Sequence, residues 1–219
     1  MTRWLEEKKG VLAAARRMLD KGLVTGMAGN VSLRLVLGKR PLLAITPTSR
    51  DYYSLSPDDI QILDFNARKI EGDLPPSVET PLHIGIYRAR KDINAIVHTH
   101  SVFATAAAVT SLFIPPILDE QVAYLGGEIK VAAYAPSGTR ELAKNAVAAL
   151  GDHNAVLLAN HGAVGAGKNM ADAFRAAELL EKTAQIYLLG LSAGKVNTLG
   201  PEAQAAARGI YEKSRRRAV

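Results

Sequence analysis

The sequence predicts an α/β chain in which helices cover a mixed or antiparallel sheet. Helix-like amphipathic stretches are interleaved with short β-rich runs along the 219 residues. An early pair of these runs is joined by a hairpin-type connection at 39–41, where a Rossmann unit would need a crossover helix. Hydrophobic residues make up 48% and charged residues 22%, the balance of a globular chain that buries one full core.

The elements follow in order. Residues 4–21 carry apolar side chains at 4, 5, 11, 12, 15, 18 and 19, a helical pattern that stops before Gly22. The loop LVTGMAGN leads into a strand over 31–36, and LLAIT over 42–46 forms the next. SPDD starts a short helix, and 60–65 and 68–70 read as strands around a turn at Asn66. In LPPSVETPLHIGIYRARKD a loop precedes a helix, with Ser77 as the N-cap and Glu79 in the first turn. A β-rich run over 92–98 ends in Thr99 and His100, and a helix follows over 101–110. Pro115 and Pro116 break the chain before an acidic loop at Asp119 and Glu120, and 129–134 is another strand. A helix over 139–150 precedes a short buried strand, 155–159, that ends in NHG. The helix over 169–189 is expected to close at Gly190. One domain, 1–219, is expected, with a basic tail at about 212–219.

Composition excludes several functions. The chain has no cysteine, so it is neither a disulfide scaffold nor a thiolate zinc knot, and it has no cysteine nucleophile or cysteine-ligated iron–sulfur cluster. The net charge is +6, and EKSRRRAV at the end carries four bases against one acid, a net of +3. Aromatic residues are only 5%, with no basic–aromatic interleaving to stack bases, so no nucleic-acid partner is expected. The first residues lack a signal-peptide pattern and no apolar run reaches 18 residues, so no membrane association is expected and the cytoplasm is the expected compartment.

The histidines carry more information. His98 and His100 stand two apart at a strand end, which puts both side chains on one face. His161 ends another strand beside a glycine that permits close approach. Three neutral imidazoles with an open position make a catalytic zinc arrangement. Glu79 supplies a carboxylate that is either a capping charge or a metal ligand and general base. His83, four residues on, shares its helical face and reads as a core or surface histidine or a fourth ligand. His153 lies in a turn. GNVS at 29–32, TPTS at 46–49 and PPS at 75–77 each join a turn to small, hydrogen-bonding residues, the makings of an anion nest. Together these features suggest a phosphate held beside a metal.

In this order TGMAGNVS, ITPTS, the E-x-x-x-H of 79–83, HTH of 98–100, GTRELA of 138–143 and NHG of 160–162 resemble the class II (metal-dependent) aldolase/adducin superfamily. The pattern, over about 3–189, is nearest to its L-fuculose-1-phosphate aldolase branch. The resemblance implies a three-layer α/β/α sandwich around a largely antiparallel sheet, and a homotetramer with sites between subunits. It implies zinc, or another divalent ion such as Mn²⁺ or Co²⁺, on His98, His100 and His161, with Glu79 as resting ligand and acid–base group. Gly29, Asn30, Thr48, Ser49 and Ser77 match the family's phosphate site, and Val78 replaces a serine common there. Asp119 stands near the position of a proton-transferring tyrosine, so Asp119 or Glu120 is the expected second acid–base group. Tyr211 matches loosely a tyrosine contributed across an interface.

The implied activity is aldol cleavage of a phosphorylated ketose to dihydroxyacetone phosphate and an aldehyde. Breaking a carbon–carbon bond beside a ketone leaves an enediolate whose charge needs a Lewis acid. A 4-epimerase, a sugar-phosphate dehydratase and a phosphorylated sugar-acid decarboxylase use the same metal site in this superfamily. Adducin-like members keep the fold as a binding module and lose the metal set, which this chain retains.

Overall fold

Leu42, Leu43, Ala44 and Ile45 follow one another along a strand and are all buried. A strand allows this only where both faces of its sheet are covered. The computed structural model of the chain, which describes residues 3–216, meets that condition. Its strands are β1 Asn30–Leu37, β2 Arg40–Ile45, β3 Gln61–Asp64, β4 Lys69–Glu71, β5 Ala95–Thr99, β6 Val131–Ala132, β7 Ala155–Leu158 and β8 Gly162–Gly167. They form one sheet in the order β4-β3-β2-β1-β5-β8-β7-β6. Neighbours are antiparallel except β6 and β7, which are parallel. The exception follows from connectivity, since a helix crosses over between those two strands.

The helices are α1 Leu5–Asp20, α2 Thr80–Ala89, α3 Val102–Val109, α4 Arg140–Leu150, α5 Met170–Ser192 and α6 Pro201–Arg216. Alternate strand residues sort into separate packing clusters. Leu42, Ala44, Ala95 and Val97 meet Val11, Ala15 and Met18 of α1 and Phe174 and Ala177 of α5. Leu43, Ile45, Ile96 and Val164 meet Leu82 and Ile86 of α2 and Leu142 and Ala146 of α4. The largely antiparallel sheet and its helices therefore agree with the expected α/β class.

Several elements differ from expectation. The strand β8, GAVGAG, was not foreseen, because glycine and alanine are poor strand formers. It is nevertheless central, between β5 and β7, and fully buried. A Cβ on Gly165 would stand 2.4 Å from the Ala177 backbone nitrogen, so the missing side chain lets α5 lie directly on the strand. The helix α5 runs through Gly190 to Ser192; Val196 packs where a Cβ would be, at 2.9 Å, so this glycine serves packing and not termination. The edge strand β6 is only two residues long because Ile129 pairs instead with Ile114. Asp119 and Glu120 open a helical turn that continues as a π turn, Gln121–Leu125, and do not form a loop.

The basic end is also ordered differently. Residues 212–216 lie within α6, where Arg215 pairs with Asp92 at 3.1 Å; residues 217–219 lie outside the described part. The Ser77 cap is shifted too. Ser77 Oγ accepts from the Glu79 backbone at 3.2 Å, and Glu79 itself holds the N-cap position of α2.

Candidate metal centre

Antiparallel pairing of β5 with β8 sets Thr99 opposite Ala163, which places the turn between β7 and β8 beside the end of β5. That turn carries His161, after Asn160 in the left-handed region at φ 54°. A Cβ on Gly162 would lie 2.3 Å from the Thr99 carbonyl oxygen, so only glycine lets the two strand ends approach this closely. His98 shares the face of Ile96, the side covered by α2, and the first residue before α2 is Glu79. Glu79, His98, His100 and His161 accordingly converge, with one ligand atom from each within 4.8 Å of all the others.

The three imidazoles form a propeller. Ring centroids are 4.9, 4.9 and 5.0 Å apart, and the planes cross at 68–75°. His98 Nδ1 lies 2.9 Å from the Ala163 carbonyl oxygen, so Nδ1 carries the proton and donates. That leaves the lone pair of His98 Nε2 facing inward, 3.0 Å from His100 Nε2 and 2.8 Å from Glu79 Oε2. His161 Nε2 lies 3.2 Å from Glu79 Oε1. Lone pairs and a carboxylate pointed at one another repel unless a cation stands among them, so this donor set fits a divalent metal ion.

The electrostatics agree. Burial, then repulsion from neighbouring imidazoles, lowers the His100 pKa to about 4, and the same causes lower that of His161. Both rings are therefore neutral near pH 7, with lone pairs available to a cation. Burial opposes ionisation of Glu79, but the adjacent His98, hydrogen bonding and His161 outweigh it and hold the carboxyl well below the ordinary range. Burial likewise opposes a charged His98, which Glu79 outweighs, raising its pKa. The carboxylate thus favours positive charge at the position a metal would take.

Two further donors hold Glu79. Asn30 Nδ2 donates to Oε2 at 2.9 Å, and Ser137 Oγ donates to Oε1 at 3.0 Å. Ser137 was missed in the sequence; its only signal was the PSGT turn that precedes the well-capped α4, where Thr139 Oγ1 accepts from the Leu142 backbone. The three hydroxyl-rich turns are neighbours. Thr48 N donates to the Pro75 carbonyl at 3.0 Å, Ser77 N to Thr46 O at 3.1 Å, and Val31 N to Thr46 Oγ1 at 3.3 Å. Thr48 and Ser49 remain partly or fully accessible, Gly29 is half-buried and Ser77 is buried.

Other expected site residues are placed differently. The buried Asn30 side chain is turned to Glu79 and His83, not opened toward a phosphate. His83 is no ligand: it is wholly buried, which lowers its pKa to about 3 and keeps it neutral. Asp119 is exposed and stands outside the Glu79–histidine group, while Glu120 pairs with Lys182 at 2.5 Å. Val78 is 61% exposed. Tyr211 is fully buried; its hydroxyl donates to the Asp152 carbonyl at 2.5 Å and lies 3.0 Å from the Asn154 side chain. Those partners precede β7 whereas His161 follows it, so Tyr211 packs α6 against the opposite strand end, away from the Glu79–histidine group of its own chain. The His153 ring packs beside Gly126 and is half-buried.

The model of the Class II Aldolase and Adducin N-terminal domain matches residues 9–188. The chain is 37% identical over 194 residues to a 5-deoxy-D-ribulose 1-phosphate aldolase of Bacillus thuringiensis serovar kurstaki, covering 89% of this chain and 90% of that one. It is 37% identical over 182 residues to the L-fuculose phosphate aldolase of Escherichia coli K12, covering 83% and 82%. A solved L-fuculose 1-phosphate aldolase superposes with a TM-score of 0.89 at 33% identity, covering 94% of this chain and 96% of its own. Fold, donor set and sequence therefore agree that the chain belongs to the class II aldolase and adducin family.

Proposed function

We propose that the protein is a zinc-dependent aldolase that cleaves a phosphorylated ketose to dihydroxyacetone phosphate and an aldehyde. The observation that carries this reading is the convergence of His98, His100 and His161 on Glu79. A divalent cation on the three imidazoles would supply Lewis-acid stabilisation of the charge that develops as the carbon–carbon bond breaks. Glu79 moves the proton at the carbon α to the carbonyl, removing it in condensation and returning it in cleavage. Asn30 and Ser137 orient the two oxygens of that carboxylate. Gly29, Thr48, Ser49 and Ser77, with the Asn30 backbone, receive the phosphate where their turns adjoin.

Asp119 handles the hydroxyl proton of the departing aldehyde. Its exposed position supports that role at a boundary with a second copy, in a homotetramer. Cover of alternate strand residues by α1 and α5 and by α2 and α4 supports the α/β/α sandwich. No helix among the described residues is long and apolar enough to cross a membrane, which accords with a cytoplasmic site of action. The two relatives are named for different ketose 1-phosphates, which supports the reaction class while this chain's own residues select the aldehyde.

A panel of ketose 1-phosphates tests the reading. Aldehyde release is expected, lost on chelation and restored by zinc. Water loss, carbon dioxide release or an epimer instead would replace aldolase by dehydratase, decarboxylase or epimerase. Full turnover after chelation would sink all four. Unchanged turnover in Asp119→Asn would remove Asp119 from the mechanism.

A further inference from the structure

Asn30, Ser32 and Arg34 project from one face of β1 along the whole length of α2. At the far end, the Arg34 guanidinium donates to the carbonyls of Tyr87, Arg90 and Ile93 at 2.6, 2.8 and 2.9 Å, which pins the C-terminal end of α2 to the strand. Between the ends lies a buried polar chain. Tyr87 Oη is 2.7 Å from Ser32 Oγ, Ser32 Oγ is 2.6 Å from His83 Nδ1, and His83 Nε2 is 2.6 Å from Asn30 Oδ1. The chain ends where Asn30 Nδ2 meets Glu79.

Elementary valence fixes every proton in it. A carboxylate only accepts, so Asn30 must turn its NH₂ to Glu79 and its carbonyl to His83. His83 Nε2 must then carry the hydrogen, and the neutral ring leaves Nδ1 bare. Ser32 therefore donates to Nδ1, and its oxygen accepts from Tyr87. All the hydrogen bonds run one way, from Tyr87 to Glu79. A wholly buried imidazole on a helix packed among Leu82, Ile84 and Ile86 is a costly choice for core filling alone, where an aliphatic side chain needs no partners.

We propose that His83 is a positioning residue for Glu79: through its Nε2–H it fixes the Asn30 amide so that the NH₂ faces the acid–base carboxylate. The proposal rests on the aldolase reading for its kinetic consequence and on hydrogen bonding alone for its structural one. His83→Phe keeps a ring and removes the donor, so the buried Asn30 carbonyl loses its partner and the amide is held from the Glu79 side alone. His83→Gln fits the ring's space less well but returns an N–H near the place of Nε2.

The test compares zinc-loaded wild type with His83→Phe, His83→Gln and Ser32→Ala. His83→Phe is expected to lose about 10- to 100-fold in kcat for ketose 1-phosphate cleavage with KM within about threefold. His83→Gln should return to within about fivefold of wild type, a rescue that a packing role alone would not produce. Ser32→Ala removes one hydroxyl and carries the test should His83→Phe fail to fold; it should lose about 3- to 10-fold in kcat. A kcat at the wild-type level in His83→Phe or Ser32→Ala, or a Gln variant no better than Phe, overturns the proposal. A readout free of substrate is the ¹⁵N spectrum of the histidine rings, in which His83 should appear as the Nε2–H form. A proton on Nδ1 overturns the proposal whatever the kinetics. The Nε2–H form in an enzyme that cleaves no ketose phosphate upholds the hydrogen-bonded relay and fails the aldolase reading instead.

Discussion

Asn30 and His98 are cross-strand partners on β1 and β5, and their side chains reach the same oxygen of Glu79, at 2.9 and 2.8 Å. One partner is a neutral donor that orients the carboxylate. The other is a ring whose inward lone pair is free to be offered to a cation.

Glu79→Gln should therefore separate binding from chemistry. The three imidazoles remain, so the variant should still take up zinc. Turnover should fall by about 10²- to 10⁴-fold, the usual contribution of a positioned acid–base group. Metal content and aldehyde release measured on the same preparation decide it; near-normal turnover would remove Glu79 from proton transfer.

Tyr211→Phe should act on stability and not on catalysis. The hydroxyl serves the Asp152 carbonyl at the base of β7. Its loss should cost about 1–2 kcal/mol in urea unfolding. A fall in kcat without a loss of stability would instead give Tyr211 a part in the site.

Gly165→Ala brings a methyl group to 2.4 Å from the Ala177 nitrogen. The helix α5 must lift, at a cost of about 1–3 kcal/mol, visible as a lower unfolding midpoint. An unchanged midpoint would mean that α5 does not rest on β8 this closely.

Asp92 gives a pH signature. Its bidentate hydrogen bonds from Arg90, at 2.7 and 2.8 Å, and the nearby Arg215 lower its pKa from 3.8 to about 2, against an opposing effect of burial. A depressed folded-state pKa stabilises the fold above the ordinary value, and the contribution disappears as pH falls through about 2. Asp92→Asn should thus unfold at lower urea than wild type at pH 7, with the gap narrowing below pH 4. A gap independent of pH would refute the ion-pair origin.

The features that were legible in the sequence are those set by local rules. HTH at a strand end, NHG at the end of a buried strand and the helix that GTRE opens all follow from side-chain period, turn geometry or helical pattern. The features that were hidden depend on partners distant in the chain. GAVGAG has no β signal of its own and becomes a strand because β5, β7 and α5 leave room for nothing larger. His83 sits on the expected helix, yet its purpose is decided by Ser32 and Asn30, about fifty residues away. The partners of Tyr211 were hidden for the same reason: which strand end α6 meets is decided by Asp152 and Asn154, far from it in the chain.

The position of β5 in the sheet protects the cluster from local opening. It bears His98, leads directly into His100, and is enclosed by β1 and β8, whose pairings close loops of about 65 residues each. Fraying of an edge strand or a terminal helix leaves those pairings whole, so the donors are dispersed only when the middle of the sheet opens. The convergence of Glu79 with the three histidines therefore rests on long-range pairing and not on local structure, and scattering the four side chains requires opening the centre of the sheet.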